Sequence, residues 1–541
     1  MMFTMLTVGS QIVPFLAGVL SHLAYFNKGE HHLYTITYIQ SFLAVLSATA
    51  LLLISYEGQE FLSAFCQSLK LGASFIAGLC SSLVCYRLLF HPLNRFPGAL
   101  GARVSSFWLP LKLSSEPGFK QVKKLHDQYG SFVRLGPNYV SLAHPKAVNM
   151  VYGGASKCTK AAWYDLTKPM VSLQTFRERS FHDERRRVWS AAFGDKSLRG
   201  YEYRLQGYRK KLMDHITSLD GKPVNVTKWF NLYSFDFMGD LAFGKSFDML
   251  ENQEHWAIKL LNDAIEPLSF GFPVWFFRLL TAAPMLTRDW WRFIDFCAEQ
   301  IERRLKTSVE TPDIMSALSA PLKGKEPTRQ EWDLLRGDAQ LIVVAGSDTT
   351  ATTLAAIIYE LAQHPEHVAL LREELAPHIE SSGEVLNEKI SNLKHLNAVI
   401  NEALRMHPPV PTALQRKTPP EGITVDGTYI PGNTTVICPQ YVLGKSEAVY
   451  EKPLDFIPER WYLYPKMVKE KSAFVPFSAG PYGCIGKPLA LLNIRTTIAR
   501  LVTSFDFGFA PGEDGVKFEG EAREHFTTAF GDLMISFNKR T

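Results

Sequence analysis

Phe477-Ser-Ala-Gly480-Pro-Tyr482-Gly483-Cys484-Ile-Gly486 sets one cysteine in a glycine-rich loop, and an apolar run, Lys487-Pro-Leu-Ala-Leu-Leu-Asn-Ile494, follows at once. Glycines at 480, 483 and 486 permit a tight turn whose backbone can approach a bound group closely. Helix-forming residues after Cys484 can aim the positive end of a helix at the sulfur. Such a setting favours thiolate and presents one soft anionic ligand. Taken alone, it is compatible with a metal-binding, a redox or a plain structural role.

The remaining composition narrows the setting. The chain has 541 residues, a mass of 61.0 kDa, 46% hydrophobic residues and a net charge of +5. That balance gives no footing to nucleic acid, and the scattered Lys and Arg read as a solvated surface suited to rest near anionic lipid. The seven cysteines, at 66, 80, 85, 158, 297, 438 and 484, are odd in number, widely spaced and without a Cys-x-x-Cys pair. This is neither a disulfide scaffold nor a zinc ribbon, and it suits a reduced, cytosol-facing body.

Three apolar segments open the chain. Residues 33–54 and 71–90 are long enough to cross about 30 Å of hydrocarbon. Residues 5–26 are weaker, softened by Gln11 and His22, and read as a crossing or an interfacial helix. A cleavable signal would need a basic start and a small-residue cleavage site, and neither is clear. Arg87, Arg95 and Arg103 cluster after the third segment, whereas loop 55–70 carries Glu57 and Glu60 against Lys70. The positive side is cytosolic, which predicts a cytosolic body and, with three crossings, a lumenal N-terminus. The Pro- and Gly-containing stretch His91–Gly98 reads as a stiff, non-helical spacer. The expected division is a membrane region over 1–90, a hinge over 91–105 and a catalytic domain over 106–541.

In the body, residues 115–128 read as a helix and two short strands meet at Gly136-Pro137. Helical patterns dominate from about 180 to 410, and residues 411–440 carry the Pro, Gly, Thr and Val of strands and turns. The predicted class is mainly α with smaller β-sheet regions. An aromatic patch, Phe270-Gly-Phe272-Pro-Val-Trp275-Phe-Phe277, reads as core or as a membrane-touching substrate entrance.

Four further segments carry chemistry. Ala345-Gly346-Ser-Asp348-Thr349-Thr350 interrupts a long apolar helix with an acid and hydroxyls, which are costly to bury unless bonded or functional. Gly346 opens space where a flat ligand can press on that helix. Glu402 and Arg405 share one helical face at i,i+3, and Arg460 of Phe456-Ile-Pro-Glu-Arg460-Trp461 can close a three-charge cluster that serves the fold. His182 and Arg186, at i,i+4, and the more distant Arg416 are candidates for an anionic ligand edge; each taken alone reads as surface.

These motifs together resemble the cytochrome P450 family, in its membrane-bound fungal, microsomal form, over roughly residues 90–541. The cysteine loop, Ala345-Gly-Ser-Asp348-Thr349, Glu402-x-x-Arg405 and Pro458-x-Arg460 occur in the family's order. The resemblance implies the P450 fold behind N-terminal transmembrane helices and haem b with Cys484 as axial iron ligand. It places Phe477, Tyr482 and Gly486 in the haem loop, His182, Arg186 and Arg416 at the propionates, and Asp348 and Thr349 in proton delivery for dioxygen activation. It further implies monooxygenation of a lipophilic, secondary-metabolite substrate, with NADPH electrons arriving through a cytochrome P450 reductase and cytochrome b5 as a second candidate donor. Desaturation, epoxidation or ring formation on the same scaffold is the alternative outcome, and a haem-binding protein without turnover a remote one. The implied location is the endoplasmic reticulum membrane, with the catalytic domain in the cytosol. One departure stands out: the loop position usually held by Arg is Tyr482, which can donate one hydrogen bond but cannot pair with a carboxylate. Substrate-facing segments are expected at 157–180, 265–285, 341–348 and 409–415, with Phe270, Phe272, Trp275 and Leu414 lining a pocket or its mouth.

Overall fold

A computed structural model describes residues 2–113, 116–253, 256, 271–283, 285, 287–307, 312–412 and 414–540, with residues 2–10 described by backbone alone. The chain divides into two compact units. One comprises Met1–Pro110, Arg134–Val140 and Phe272–Thr287; the other comprises Leu111–Val133, Ser141–Gly271 and Arg288–Thr541.

The first unit is built on three helices, Met2–Ser21, Thr35–Glu57 and Phe61–Cys85. The third begins ahead of its apolar stretch and continues through a π-turn to Phe90. Thr35–Glu57 and Phe61–Phe90 are long and apolar enough to cross a membrane, and Gln11–Phe26 is a shorter apolar helix. Small residues bring the helices together: a Cβ on Gly18 would sit 2.1 Å from the Phe75 carbonyl oxygen, and one on Gly78 would sit 2.0 Å from that of Phe15. Such close crossings, with polar bonds between helices, are how apolar helices associate without a hydrophobic drive. His22 Nδ1 lies 2.8 Å from Ser82 Oγ, and Ser68 donates to the Leu46 carbonyl at 2.6 Å. Arg87 is fixed rather than free to reach upward, since it donates to the Val104 carbonyl at 2.6 Å. The expected non-helical spacer contains one 3₁₀ turn, Pro92–Arg95, capped by His91; proline tolerates a first helical position, where its N–H is not needed.

The second unit is mainly helical. Its central helix, Arg329–Gln363, starts at a reciprocal cap in which Thr328 and Glu331 exchange side chain-to-backbone bonds, and Pro365 prevents its continuation. It too is apolar enough to span a membrane, but 67% of its most apolar stretch is buried inside this unit, so its apolar surface serves the core. Val226–Phe243, Lys394–Met406 and Lys487–Ser504 pack against it. The small sheets include Thr159–Lys160, Arg416–Lys417 and Thr435–Ile437, paired antiparallel in that order. Another holds Pro223–Asn225, Met534–Lys539 and Phe505–Phe509, with Met534–Lys539 in the middle. Ile423–Val425 and Thr428–Ile430 form a hairpin across Asp426-Gly427, whose φ values of 47° and 80° suit the two-residue turn that matches strand twist. All seven cysteines are free.

Candidate active site

The cysteine loop closes on itself through the Cys484 N–H, which donates to the Phe477 carbonyl at 2.8 Å. Gly480 has φ +60°, and a Cβ there would meet the Tyr152 carbonyl oxygen at 2.6 Å, so this position requires glycine. The helix Lys487–Ser504 follows Gly486. The backbone N–H groups of Gly486 and Lys487 bond to the Cys484 sulfur, and the Arg186 and Lys487 cations favour its thiolate. Crowding by protein atoms outweighs them and holds the thiol above its ordinary value. The sulfur is nonetheless accessible, because it opens on a cavity of about 330 Å³.

Phe477, Gly486 and Ile485 line that cavity together with Ala345, Gly346 and Thr349 of the central helix. Gly346 lines the cavity beside Met238, whose Cε would lie 2.4 Å from a Cβ added there. Leu341, Leu414, Phe237 and Phe526 supply further apolar wall. Phe272 and Trp275 belong elsewhere: their rings pack with Phe107 in the first unit, 6.5 Å and 5.5 Å from it between centroids. The helix Val274–Thr281 packs there against Thr35–Glu57. The patch thus lies with the apolar N-terminal helices, in keeping with the membrane-touching reading rather than with core, and Phe272 and Trp275 do not line the cavity. Phe270 lies outside the described residues.

A basic rim borders the cavity. Lys160 and Arg416 are direct partners across antiparallel strands, so their side chains share one face. Both are buried and both line the cavity with His182, Arg186 and Tyr482. Lys160 donates to the carbonyls of Leu173 and Gln174, at 3.0 and 2.6 Å. Arg416 donates to the Tyr164 hydroxyl at 2.9 Å, and its buried Nε has no partner. Arg186 donates to the Gly483 carbonyl at 2.7 Å, joining the helix Arg179–Ser190 to the cysteine loop. The Tyr482 ring is a platform for these cations, with Lys160 Nζ and Arg416 Cζ each 5.0 Å from its centroid and the His182 ring at 4.7 Å. Burial and nearby Lys160 push His182 down to about 4, so its ring is neutral at physiological pH. Burial, Arg416 and Arg186 hold the Lys160 ammonium well below its usual range. Among the described residues no carboxylate pairs with Lys160, Arg186 or Arg416. Like charges set opposite one another in a sheet repel. With an orphaned guanidinium nitrogen beside them, they fit the dianionic edge of haem, as Cys484 fits its iron. Lys160 escaped the sequence reading because only the strand register brings it to Arg416.

The polar patch of the central helix splits in two. Thr349 lines the cavity, its hydroxyl donating to the Ala345 carbonyl at 2.8 Å. Asp348 does not line it; its carboxylate accepts a short bond from Thr527, which does. Burial raises the Asp348 carboxyl above the usual range, opposed by that bond. Thr527 follows Phe526, a residue with φ +83° in the turn between Arg523–Glu524 and Thr528–Ala529. The Phe526 ring stacks on Trp163 at 5.0 Å, and Thr528 is tied to the central helix by Thr352 at 2.9 Å. No sequence signal pointed to this turn, because its value lies in contacts across 179 positions.

Away from the cavity, Glu402 gathers its partners. Arg405 bonds both carboxylate oxygens at 2.9 and 2.7 Å, and Arg460 Nε reaches Oε1 at 2.8 Å. The Trp461 indole and the Ile457 N–H complete its shell. The remaining guanidinium donors meet the carbonyls of Gly444, Pro453, Glu451 and Lys452.

The Cytochrome P450 family model matches residues 100–528, and the chain belongs to that family. It is a haem-thiolate monooxygenase of the fungal type, working on lipophilic secondary metabolites with electrons that originate in NADPH. It is 47% identical to cytochrome P450 monooxygenase notG' of Aspergillus versicolor, over 97% of each chain. It is also 47% identical to tryprostatin B 6-hydroxylase of Aspergillus fumigatus, over 100% of this chain and 98% of that one. Cytochrome P450 monooxygenase lcsK of Purpureocillium lilacinum is 38% identical over 98% of each. Family membership implies a reductase partner and a lipid setting, and the apolar N-terminal helices are consistent with anchoring in a membrane.

Proposed function

We propose that this chain hydroxylates a carbon of tryprostatin B or a close relative of it, with Cys484 as the axial haem ligand. The observation that carries the haem site is one cavity shared by the Cys484 sulfur, the Thr349 face of the central helix and the Arg416 guanidinium, whose buried Nε has no partner. The 47% identity to tryprostatin B 6-hydroxylase supports the substrate. Haem, when bound, supplies dioxygen activation and the insertion of one oxygen atom. The chain does the rest. Lys160, His182, Arg186, Arg416 and Tyr482 would hold the haem carboxylates, and Phe477 and Gly486 shape the loop that carries Cys484. Burial favours the protonated form of the Asp348 carboxyl, which would exchange a proton with the cavity through the Thr527 hydroxyl, with Thr349 on the same cavity wall. Phe237, Met238, Leu341 and Phe526 exclude water and orient an apolar substrate. Glu402, Arg405 and Arg460 keep the supporting loops in place. Residues 1–90 anchor the chain in the endoplasmic reticulum membrane and 91–105 form the hinge. The catalytic domain, 106–541, faces the cytosol, where the reductase, with cytochrome b5 as a second donor, delivers electrons.

The test is a reconstitution of purified, haem-loaded protein with reductase, NADPH and tryprostatin B. The reduced protein should show the carbon monoxide band of thiolate-ligated haem, and mass spectrometry should find a product heavier by one oxygen. Haem-loaded protein without that band overturns the ligand assignment; the band without the product overturns the substrate.

A further inference from the structure

A second cluster of donors lies outside the cavity, where three elements meet: the helix Pro365–Leu375, the helix Lys394–Met406 and the turn Pro458–Trp461. Each contributes one ligand-type side chain, His367, His395 and Glu459, and their donor atoms all lie within 4.8 Å of one another. His367 and His395 are only 6% and 5% exposed. Neither His367 Nδ1 nor His395 Nε2 has a hydrogen-bond partner, although both atoms are buried. Two buried imidazole nitrogens without partners, on histidines grouped with a carboxylate, are costly in a packed interior unless something sits among them.

From this we infer that His367 Nδ1, His395 Nε2 and a Glu459 oxygen form a binding site for a divalent transition-metal ion of the zinc type. Two neutral imidazoles and one carboxylate are a donor set that zinc accepts, with a fourth position left for water. In a tetrahedral zinc site the ligand atoms stand roughly 3.3 Å apart. His367 Nδ1 already lies 3.6 Å from Glu459 Oε1, so small side-chain rotations complete the set. His395 Nδ1 lies 3.2 Å from the Tyr462 hydroxyl. An Nδ1–H donated to that oxygen leaves Nε2 unprotonated and aimed at the ion, the outer-shell arrangement typical of metal-bound histidine. Glu459 is 19% exposed and gives the ion a way in from solvent. Because Glu459 adjoins Arg460, an ion here fastens the turn that supplies Arg460 to Glu402.

The experiment uses the full-length, haem-loaded protein stripped of adventitious metal with a chelator. Zinc titrated by calorimetry and counted by mass spectrometry should bind at one tight equivalent per haem and raise the melting temperature. Glu459→Gln and His395→Gln should both lose that equivalent and the thermal shift while keeping their haem absorption spectrum. Glu459→Gln alters the most exposed ligand and serves as the reading if His395→Gln does not fold. Wild-type protein that takes up no stoichiometric zinc overturns the site and makes it a water-filled polar pocket. Retention of zinc by a folded variant, or equal competition by magnesium, which prefers oxygen ligands, also overturns it.

Discussion

Two buried cationic clusters among the described residues, one around Glu402 and one around Tyr482, are built in opposite ways. Around Glu402, each guanidinium donor meets the carboxylate or a carbonyl, and the cluster is closed within the protein. Around Tyr482, Lys160 and Arg416 face each other across a strand pair, no carboxylate joins them, and one guanidinium nitrogen is left over. Burying a charge is tolerable only when it is paired and bonded. The first cluster therefore belongs to the fold, whereas the second is incomplete until an anion arrives. Completeness of the bonding, rather than the number or depth of the charges, separates a structural cluster from a binding one.

The largest effect expected from this contrast is at Glu402. Glu402→Gln strands two buried arginines and should cost about 3–5 kcal/mol, read as loss of folded, haem-loaded protein and a lower melting temperature. A folded variant of near-normal stability would break the distinction. The next effect is on haem retention: Arg416→Ala should release haem to an acceptor protein faster than Tyr482→Phe does, since only the former removes a cation from the open cluster. Equal haem content in the two purified variants would sink the assignment of Arg416.

The smallest effect is the most discriminating. Because Lys160 has its ammonium held below the usual value, the haem-free native state binds fewer protons than the unfolded chain. Its stability should then rise with pH between the folded and unfolded lysine values. Lys160→Met should flatten that rise and stabilise the haem-free protein at neutral pH by on the order of 1 kcal/mol, yet speed haem loss from the loaded one. Melting curves and haem-transfer rates that move in the same direction would show that Lys160 belongs to a closed cluster after all.

Much of the site was legible wherever one helix or one loop carries the relevant spacing. Glu402 and Arg405 share a helical face, and Cys484 sits among glycines whose backbone demands are local. Helical and strand segments were readable from periodicity and from turn residues such as Gly136-Pro137. Lys160 and Thr527 were not legible, because strand register and a distant hairpin bring them to the cavity. Gly346 was noticed for its missing side chain, and it lines the cavity together with Met238. Phe272 and Trp275 show the limit of composition: an apolar aromatic run reads equally as core or as membrane-touching surface, and here both side chains stay partly exposed beside Phe107.

The turn that carries Phe526 and Thr527 joins two duties in consecutive residues. Phe526 shapes the wall that a substrate meets, and Thr527 grips Asp348. On the proposed role of Asp348 in proton delivery, selection for a new substrate at this turn would also act on how tightly oxygen consumption is matched to product. A lineage diversifying its chemistry has a freer path through wall residues such as Leu341 and Leu414. The hairpin, by contrast, should change slowly, and when it changes the accompanying substitutions should fall on its partners in the central helix.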